Sequence, residues 1–367
     1  MRLIIEPDDG VAPLLTAIKG AKTSAEIVIF RFDHDELESA LSSAAARGVK
    51  VQALIAAISR GDEENLRKLE MRFLEAGITV ARTADDLSRY HDKLLIIDRR
   101  VLYALSFNYT RLDIDQSRGF GIITRNATLV QEAVKLFEAD CQRTPYSPTV
   151  DTFIVSPANS RRTLTMFLKN AKEQLLIYDP EISDEDMIDI LHDRSGAGVD
   201  VRIIGRVTER GQLSVRELAG LRLHTRTIIC DGRRAAVGSQ SLRSAELDGR
   251  REVGLIVSER RVVKRLMDTF EADWAAAETP VVGDSAANDT TTAEEVTERE
   301  ATKKAVKIFV KELGPLTTTV RKAVKRAVAN AGEAVLEDKT VKTSLKKVVK
   351  KAVKGAVNDA VNDLKKP

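Results

Sequence analysis

The chain has 367 residues, of which 43% are apolar and 31% are charged, so it is long and apolar enough for two domains with separate cores. Its two cysteines exclude a disulfide-stapled scaffold, and its longest apolar runs fall far short of the ~18 residues of a membrane-spanning helix. Acidic residues follow the first apolar residues too closely for a signal peptide, and we therefore expect a cytoplasmic protein.

The formal charge of +3 is divided unevenly along the sequence. The first 280 residues carry a net charge of −3 and residues 281–300 carry −5. Residues 301–367 carry +11, because 17 lysines and arginines outnumber 6 acidic residues there. This pattern predicts a nearly neutral globular body, an acidic linker and a basic tail that binds a polyanion or an anionic surface.

The first half of the body alternates between two kinds of apolar spacing. Short β-rich apolar runs at 27–30, 49–58 and 78–80 predict strands. Apolar residues at helical spacing in 37–48 and 66–77 predict helices that each end at a glycine. A strand–helix–strand–helix–strand order is typical of an α/β layered fold.

The same order recurs about 133 residues further along the chain. It predicts strands at 175–179 and 199–204 and helices at 185–192 and 213–218. The sequence therefore contains two copies of one unit, which we assign to two similar lobes at residues 1–145 and 150–279.

The remaining residues differ in composition from the two lobes. Residues 280–300 are rich in Thr, Asp, Glu and Ala and predict a flexible acidic linker. In residues 301–367, valine, alanine and leucine recur at helical spacing between Val341 and Leu364, with lysines on the opposite side. This last segment is predicted to be a basic amphipathic helical tail.

Two of the four histidines, His91 and His224, occupy equivalent positions in the two copies. Each is followed by a cation, then by an aspartate, and then by polar residues on the next apolar segment. These residues are Lys93, Asp98, Ser106 and Asn108 in the first copy, and Arg226, Asp231, Ser239 and Ser241 in the second. The two aspartates begin turn-like sequences, which predicts that each histidine strand folds back as a hairpin.

A histidine and a cation two residues apart on a strand project from the same face. If the two copies pack about a pseudo-twofold axis, His91 and His224 meet in one cleft surrounded by cations and hydroxyl groups. Such a cleft suits a phosphodiester, because one histidine can attack phosphorus while the other protonates the leaving oxygen. The cations and polar donors then stabilise the developing negative charge.

This duplicated pattern resembles the signature of the phospholipase D superfamily, a duplicated His-x-Lys-x4-Asp followed by a Gly-Ser-x-Asn-like segment, over residues 1–280. The resemblance implies an α/β fold of two phospholipase D-like lobes, each a mixed sheet flanked by helices, followed here by the helical basic tail. It also implies a phosphohistidine intermediate and no metal or cofactor.

The resemblance assigns roles to individual residues. The implied site residues are the catalytic His91, His224, Lys93 and Glu252, the phosphate-binding Arg226, Ser106, Asn108, Ser239 and Ser241, and the structural Asp98 and Asp231. Two of these positions depart from the family pattern, since Arg226 replaces lysine and Ser241 replaces asparagine. Leu105, which precedes Ser106, replaces the glycine of the family pattern. The departures leave a weakened active site as an alternative.

Family members often carry an acid about eleven residues past the asparagine, and this acid orients a histidine. Glu252 occupies that place in the second copy, whereas Gly119 occupies it in the first. Asp113 and Asp115 are the alternatives there. A carboxylate in the second copy favours His224 as the nucleophile, but the fuller signature around His91 favours His91, so the sequence leaves the order of the two open.

The catalytic signature does not separate phospholipases, phosphatidyltransferases and nucleases. The tail at 301–367 favours a phospholipid at an anionic membrane surface, although the same lysines suit nucleic-acid phosphates. A tail that docks on the body or self-associates is the structural alternative. We expect a phospholipase D-like phosphodiesterase or phosphatidyltransferase, cytoplasmic or peripheral on the membrane. A nuclease-like enzyme and a catalytically weak binding protein are the alternatives.

Overall fold

The computed structural model describes residues 1–59 and 62–277. The strands are β1 (Arg2–Glu6), β2 (Ser24–Ile29), β3 (Lys50–Ile55), β4 (Thr79–Arg82), β5 (Arg89–Tyr90), β6 (Leu94–Ile97), β7 (Val101–Leu105), β8 (Ser117–Thr124), β9 (Phe153–Ser156), β10 (Gln174–Ile182), β11 (Asp200–Val207), β12 (Ser214–Arg216), β13 (Arg222–Leu223), β14 (Arg226–Cys230), β15 (Arg234–Gly238) and β16 (Arg250–Val257). The helices are α1 (Ala12–Gly20), α2 (Asp35–Ala46), α3 (Glu63–Glu75), α4 (Arg111–Asp115), α5 (Ala127–Gln142), α6 (Ser160–Lys169), α7 (Glu185–Gly196), α8 (Ser244–Asp248) and α9 (Arg260–Ala276).

The strands form two large mixed sheets, one for each copy of the repeat. The first has the order β1-β8-β7-β6-β2-β3-β4, and the second has the order β12-β11-β10-β14-β15-β16, with β9 also paired to β16. Strands β2 to β4 run parallel, as do β10 to β12, whereas the hairpins β6–β7 and β14–β15 are antiparallel. The predicted α/β fold of two similar lobes, each a mixed sheet flanked by helices, is confirmed.

The predicted spacing of apolar residues explains how the helices pack on the sheets. In α2 the buried side chains include Leu37, Leu41 and Ala44, which share one face of the helix. Gly48, which follows α2, has a φ of 85°, a conformation that favours glycine over other residues. The chain therefore turns back there and enters the parallel strand β3.

Each lobe contains its own apolar cluster, and a third apolar cluster joins the two lobes. Tyr178 of the second lobe lies at its centre, with ring centroids 5.4 Å from Phe120 of the first lobe and 5.0 Å from Phe270 on α9. All three side chains are fully buried. Burying aromatic side chains contributes on the order of 2–3 kcal/mol each, so this cluster fixes the relative position of the lobes.

One predicted element is wrong. Residues 213–218 were expected to form a helix, but β12 occupies Ser214–Arg216 and pairs in parallel with β11, where Val215 lies opposite Ile203. Leu213 and Val215 are buried while Ser214 is exposed, which is the period of a strand. Pairing with the edge of the second sheet outweighs the helical spacing that extends to Leu218.

The two lobes exchange short strands reciprocally. β5, which belongs to the first copy, pairs in parallel with β16 of the second sheet. β13, which belongs to the second copy, pairs in parallel with β8 of the first sheet. Each of these strands is 2 residues long and stands directly before one of the two motif histidines. The exchange therefore places each histidine at the boundary between the lobes.

A reciprocal pair of buried ion pairs supports this exchange. Arg118 on β8 binds Asp273 on α9 through two bonds of 2.9 and 3.0 Å, and Arg251 on β16 binds Asp140 on α5 through two bonds of 3.0 and 2.8 Å. Such bidentate geometry recovers much of the cost of burying the charges. Two equivalent ion pairs thus join the lobes, one with its arginine in the first lobe and one with its arginine in the second.

The predicted linker at 280–300 and the predicted tail at 301–367 lie outside the described residues, so their boundaries and structure stay predictions. Among residues 1–59 and 62–277, no helix combines the length and the apolar character needed to cross a membrane.

Candidate active site

Each motif histidine is held by the backbone of the opposite lobe. The amide of His91 donates to the carbonyl of Arg251 at 2.8 Å, and the amide of His224 donates to the carbonyl of Arg118 at 3.2 Å. These bonds continue the pairing of β5 with β16 and of β13 with β8. Both histidines therefore reach the boundary between the lobes in the same way.

Asp98 and Asp231 anchor the hairpins that follow the histidines. Both have left-handed backbone conformations, with φ of 53° and 52°. The Oδ1 atom of Asp98 accepts the amides of residues 22–24 at 2.9, 2.7 and 3.1 Å, and that of Asp231 accepts the amides of residues 172–174 at 3.0, 2.8 and 3.1 Å. Each aspartate therefore ties its hairpin turn to the start of the neighbouring strand, β2 or β10.

Lys93 and Arg226 make the same contact in the two copies. The Nζ of Lys93 donates to the carbonyl of His91, and the Nη1 of Arg226 donates to the carbonyl of His224 at 2.7 Å. Burial lowers the pKa of Lys93 to about 7, against the effect of Glu252, which raises it. The arginine thus occupies the place that the lysine signature predicts, with a planar guanidinium group instead of an ammonium group.

Both histidine rings are buried, and their environment disfavours the charged form. Burial lowers the pKa of His91 and of His224 well below the usual 6.5, and Lys93 and Arg226 lower the pKa of both rings further. The same two cations, Lys93 and Arg226, thus act on both rings at the boundary between the lobes.

Glu252 is the carboxylate partner of His91. Its two oxygens lie 3.0 Å from Nδ1 of His91, and its side chain is fully buried. Burial raises the pKa of this carboxyl to about 8, while the nearby Lys93 counteracts the rise. A carboxylate that accepts the Nδ1 proton leaves the lone pair of Nε2 directed away from it.

The expectation that Glu252 orients His224, the histidine of its own copy, is wrong. The register of the β5–β16 pair places Tyr90 beside Arg251, so the next two residues, His91 and Glu252, are neighbours across the lobe boundary. The sequence does not indicate this contact, because the two residues are 161 positions apart. The sequence argument that favoured His224 as the nucleophile therefore supports His91 instead.

His224 has no such carboxylate at Nδ1, because Gly119 stands where Glu252 stands in the other half. The Nδ1 atom makes no hydrogen bond of ordinary geometry within the described part of the chain, although the Ser106 carbonyl raises the pKa of this ring slightly against the effect of burial. A Cβ atom at position 119 would lie 2.9 Å from the ring of Phe107. Phe107 thus fills the space that a side chain there would need.

Asp113 is the carboxylate nearest to His224. Its Oδ2 lies 3.6 Å from Nε2 of His224 and accepts both the amide and the Nδ2 of Asn108 at 2.7 Å, while Oδ1 binds Arg222. Of the two alternatives that the sequence left open, Asp115 is exposed at the end of α4 and Asp113 is buried beside His224. Asp113 approaches the other ring nitrogen, so it does not copy the Glu252 contact.

The predicted polar residues follow the ends of β7 and β15 and have mainly structural partners. The Ser106 hydroxyl accepts the amide of Phe120 at 2.9 Å, and the Ser239 hydroxyl accepts the amide of Val253 at 3.2 Å. The Ser241 hydroxyl accepts from Nε of Arg226 at 3.1 Å. Direct phosphate binding by these serines and by Asn108 stays a prediction.

Sequence reasoning missed Glu246, which is the counterpart of Asp113. Its Oε2 accepts the amide of Ser241 at 2.7 Å and lies 4.0 Å from Nε of Arg226, and its Oε1 accepts from Arg250 at 3.3 Å. Burial raises the pKa of Glu246, but these arginines outweigh it and hold the value at about 2. The equal spacing of Asn108 to Asp113 and of Ser241 to Glu246 is the signal that could have identified it.

Two arginines were also missed, although the sequence repeats them. Arg89 and Arg222 stand two residues before His91 and His224, and each lowers the pKa of its histidine after the larger effect of burial. Phe30 lies beside the first of these groups, with its ring edge-to-face against His91 at 4.6 Å. Alternation along the exchanged strands places each arginine and histidine on the same face.

The exchanged lobes, the paired histidines and their cations define a member of the phospholipase D superfamily. The sequence model of the family described as cardiolipin synthase, phospholipase D-like domain, matches residues 14–141 and 164–274. The chain belongs to this family.

The similarity to individual proteins is more distant. A mitochondrial cardiolipin hydrolase from Canis lupus familiaris is 31% identical over 149 residues, which make up 40% of this chain and 55% of that protein. The chain thus spans about half the length of this curated relative.

Two solved structures share the fold. The polyphosphate kinase from Porphyromonas gingivalis has a TM-score of 0.62 at 18% identity, covering 82% of this chain and 53% of that one. The phosphatidylserine synthase from Haemophilus influenzae Rd KW20 has a TM-score of 0.59 at 12% identity, covering 85% of this chain and 94% of that one. At these identities the likeness shows the fold alone.

Proposed function

We propose that the chain is a phospholipase D-type phosphodiesterase or phosphatidyltransferase that acts on phospholipids through a phosphohistidine intermediate on His91. The observation that carries the proposal is the 3.0 Å contact between Glu252 and Nδ1 of His91, in a cleft where Lys93 and Arg226 act on both histidines. A neutral ring whose Nδ1 proton is accepted by a carboxylate offers the lone pair of Nε2 as a nucleophile.

In the first step, Nε2 of His91 forms a bond to phosphorus while the bond from phosphorus to the leaving oxygen breaks. His224 gives its Nε2 proton to that oxygen, and Glu252 stabilises the positive charge that develops on His91. In the second step, His224 takes a proton from water or an alcohol, whose oxygen attacks phosphorus. The bond between phosphorus and nitrogen breaks and returns its electron pair to His91. Water gives hydrolysis and an alcohol gives transfer.

His224 must carry a proton before the first step, although burial and cations lower its pKa. The bound phosphodiester is an anion that contacts the same cations, Lys93 and Arg226, and offsets their effect on the ring. We infer that His224 takes up its proton when substrate binds. Asp113, at 3.6 Å from Nε2, supports the charged form in that state.

A phospholipid substrate is supported by the family, whose description names cardiolipin synthase, and by a relative whose name is cardiolipin hydrolase. The net charge of +11 in residues 301–367 supports binding to an anionic membrane from the cytoplasmic side. The nuclease and binding-protein alternatives both predict no lipid product, and assays of oligonucleotide cleavage and of phospholipid binding distinguish them.

The test is lipid mass spectrometry after incubation of the full chain with mixed phospholipid vesicles and a primary alcohol. We expect phosphatidyl-alcohol and phosphatidic acid from the wild type. His91→Ala and His224→Ala should each lose both products, because the first removes the nucleophile and the second removes the group that gives and takes the proton. His192→Ala, which changes a half-buried histidine on α7, is the matched control and should keep them.

Full activity in either cleft variant would contradict the two-histidine mechanism. Cleavage of single-stranded oligonucleotides without any lipid product would support the nuclease instead. Absence of both activities, with phospholipid binding retained, would support a binding protein.

The membrane role of residues 301–367 is tested separately by co-sedimentation with anionic vesicles. Wild-type protein should sediment at low salt and be released at high salt, since surface charge interactions are screened. Deletion of residues 301–367 should abolish sedimentation. Unchanged sedimentation of the deleted chain would show that the body, and not this segment, binds the membrane.

A further inference from the structure

Two buried arginines supply the carbonyls that hold the motif histidines. The carbonyl of Arg251 accepts the amide of His91 at 2.8 Å, and that of Arg118 accepts the amide of His224 at 3.2 Å. The strands that lead to the histidines, β5 and β13, are each only 2 residues long. Because so short a strand fixes little by itself, the position of each histidine depends on the position of one arginine.

An aspartate on a long helix fixes the side chain of each arginine. Asp140 on α5 accepts from Nε and Nη2 of Arg251 at 3.0 and 2.8 Å, and Asp273 on α9 accepts from the same two nitrogens of Arg118 at 2.9 and 3.0 Å. The remaining nitrogen, Nη1, donates to a carbonyl at the end of the adjacent strand, β9 or β1. A bidentate pair fixes the orientation of a guanidinium group as well as its distance. Each arginine is therefore held through its side chain as well as through its backbone.

These contacts form two equivalent sets that cross the lobe boundary. The His91 set consists of Asp140, Arg251 and His91, and the His224 set consists of Asp273, Arg118 and His224. In each set the aspartate and the histidine belong to one lobe and the arginine belongs to the other. All three members recur at the spacing of about 133 residues that separates the two histidines. A continuous line of contacts thus runs from the last helix of each lobe to the histidine of the same lobe.

Further acidic residues near each arginine allow its aspartate to be changed. Asp8 lies 3.4 Å from Nη1 of Arg118. Burial lowers the pKa of Arg251, whereas Asp140 and the fully buried Asp92 raise it. A buried guanidinium group without any carboxylate would be costly. Replacement of either helix aspartate by asparagine leaves its arginine one nearby acid, and we therefore expect both variants to fold.

We propose that Asp140 and Asp273 are positioning residues that set the places of His91 and His224, each through the arginine of the other lobe. Small displacements matter here, because a misplacement of about 1 Å between reacting groups can reduce a rate by about 10²-fold. The roles of the two histidines in a reaction rest on the proposed function, whereas the environment of each ring can be measured without turnover.

The first experiment is NMR spectroscopy of the full chain with isotope-labelled histidine rings. The four histidines give few signals, and His91→Ala and His224→Ala assign the two that matter. Asp140→Asn should shift the ring signals of His91 and change those of His224 little, because only the His91 set loses its bidentate pair. Asp273→Asn should have the opposite effect. Aspartates that merely hold the lobes together would instead shift both rings, since both rings lie at the lobe boundary.

Glu138→Gln and Glu271→Gln are the matched controls. These glutamates stand on the same two helices, two residues before the positioning aspartates, and each binds an arginine, Arg99 at 2.7 Å and Arg202 at 2.8 Å. Both of these arginines lie outside the two sets, so the controls should keep both ring signals. Aspartate variants that leave every ring signal unchanged, or that shift both rings alike, would overturn the proposal.

A double substitution keeps the test available if a single variant does not fold. Arg251→Met combined with Asp140→Leu removes both charges together and keeps apolar volume, an exchange that buried ion pairs often tolerate. The carbonyl at position 251 remains, but its side chain loses the anchor on α5. The double variant should therefore shift the His91 ring signals as Asp140→Asn does, and unchanged signals would overturn the proposal.

The second experiment measures release of the leaving group in a single turnover, which isolates the first chemical step. The substrates are phosphatidylglycerol vesicles, whose leaving alkoxide needs a proton, and bis(p-nitrophenyl) phosphate, whose leaving group needs none. Asp140→Asn should slow both reactions by about tenfold or more, since it displaces the nucleophile. Asp273→Asn should slow only the lipid reaction to this extent, since it displaces the proton donor. Asp140→Glu keeps the carboxylate and should lose less activity than Asp140→Asn.

The two experiments separate failure of the positioning from failure of the proposed function. Selective ring shifts without wild-type turnover of either substrate would keep the positioning and overturn the function. Wild-type turnover that both aspartate variants slow equally on both substrates, with both rings shifted, would overturn the separate positioning of the two histidines and keep the function.

Discussion

The His91 and His224 halves of the cleft share their backbone and differ in their carboxylates. In both halves a strand of 2 residues crosses to the other lobe, and the cation after the histidine binds the carbonyl of that histidine. Beside His91 stands Glu252, whereas beside His224 stands Gly119. The comparison teaches that a duplicated backbone can hold two identical side chains in equivalent places while one neighbouring residue separates their chemical roles.

The two halves also use their second carboxylates differently. Glu246 accepts from Arg250 and lies 4.0 Å from Arg226, whereas Asp113 lies 3.6 Å from Nε2 of His224. In the proposed reaction, the contact of Glu252 with Nδ1 suits His91 as a neutral nucleophile with a fixed tautomer. The contact of Asp113 suits His224 as a group that gains and loses a proton at Nε2.

The largest expected effect comes from removing the charge of Glu252. Glu252→Gln keeps the size of the side chain but stabilises the His91 cation less, and we expect kcat to fall by about 10²- to 10³-fold. Glu138→Gln, on the exposed side of α5, is the control and should be neutral. A loss below about threefold would show that the Glu252 carboxylate has a structural role and does not assist His91 in the reaction.

The pH dependence of kcat/KM tests the role of Glu252 in the His91 half. Burial raises the pKa of Glu252 to about 8 and lowers that of His91 well below 6.5, so between pH 6 and 9 Glu252 is the group of this pair that titrates. The active form needs the ionised carboxylate and the charged Lys93, whose pKa burial lowers to about 7, so kcat/KM should rise with pH as Glu252 ionises and fall as Lys93 loses its proton. The rise should disappear in Glu252→Gln. If the rise with pH persists in Glu252→Gln, a group other than Glu252 is responsible for it.

Asp113→Asn tests the His224 half. If Asp113 supports the charged form of His224, the variant should slow phospholipid cleavage by about tenfold, because the alkoxide leaving group needs a proton. A p-nitrophenyl phosphodiester, whose leaving group needs none, should be cleaved at nearly the wild-type rate. Equal losses on both substrates would instead indicate a structural defect, which the unfolding temperature of the variant would reveal.

The smallest expected effect concerns the space beside His224. Gly119→Ala places a methyl group 2.9 Å from the Phe107 ring, and overpacking of this kind costs about 1–3 kcal/mol. The cost should largely vanish in a Phe107→Leu background, as a double-mutant cycle of thermal unfolding would show. Gly196→Ala, where a Cβ meets nothing within 4 Å, is the control. Additive effects at positions 119 and 107 would contradict the contact.

Much of the architecture is predictable because it depends on short-range patterns. Apolar spacing predicts α2, α3 and the parallel strands, and the turn residues Asp98 and Asp231 predict the hairpins. The failure at β12 has a different cause, since Leu213 and Val215 fit extended spacing while Val215 and Leu218 fit helical spacing, and so few residues do not decide between them. Only an available sheet edge, at β11, decided between the two.

The sequence by itself determined the duplication, the two histidines and the cations that follow them, because these features are encoded by residue type and spacing within each copy. The tertiary structure decided which carboxylate serves which histidine. That choice depends on the reciprocal pairing of β5 with β16 and of β13 with β8. It joins residues 161 positions apart, and no local pattern specifies such a contact, since it follows from the packing of one lobe against the other.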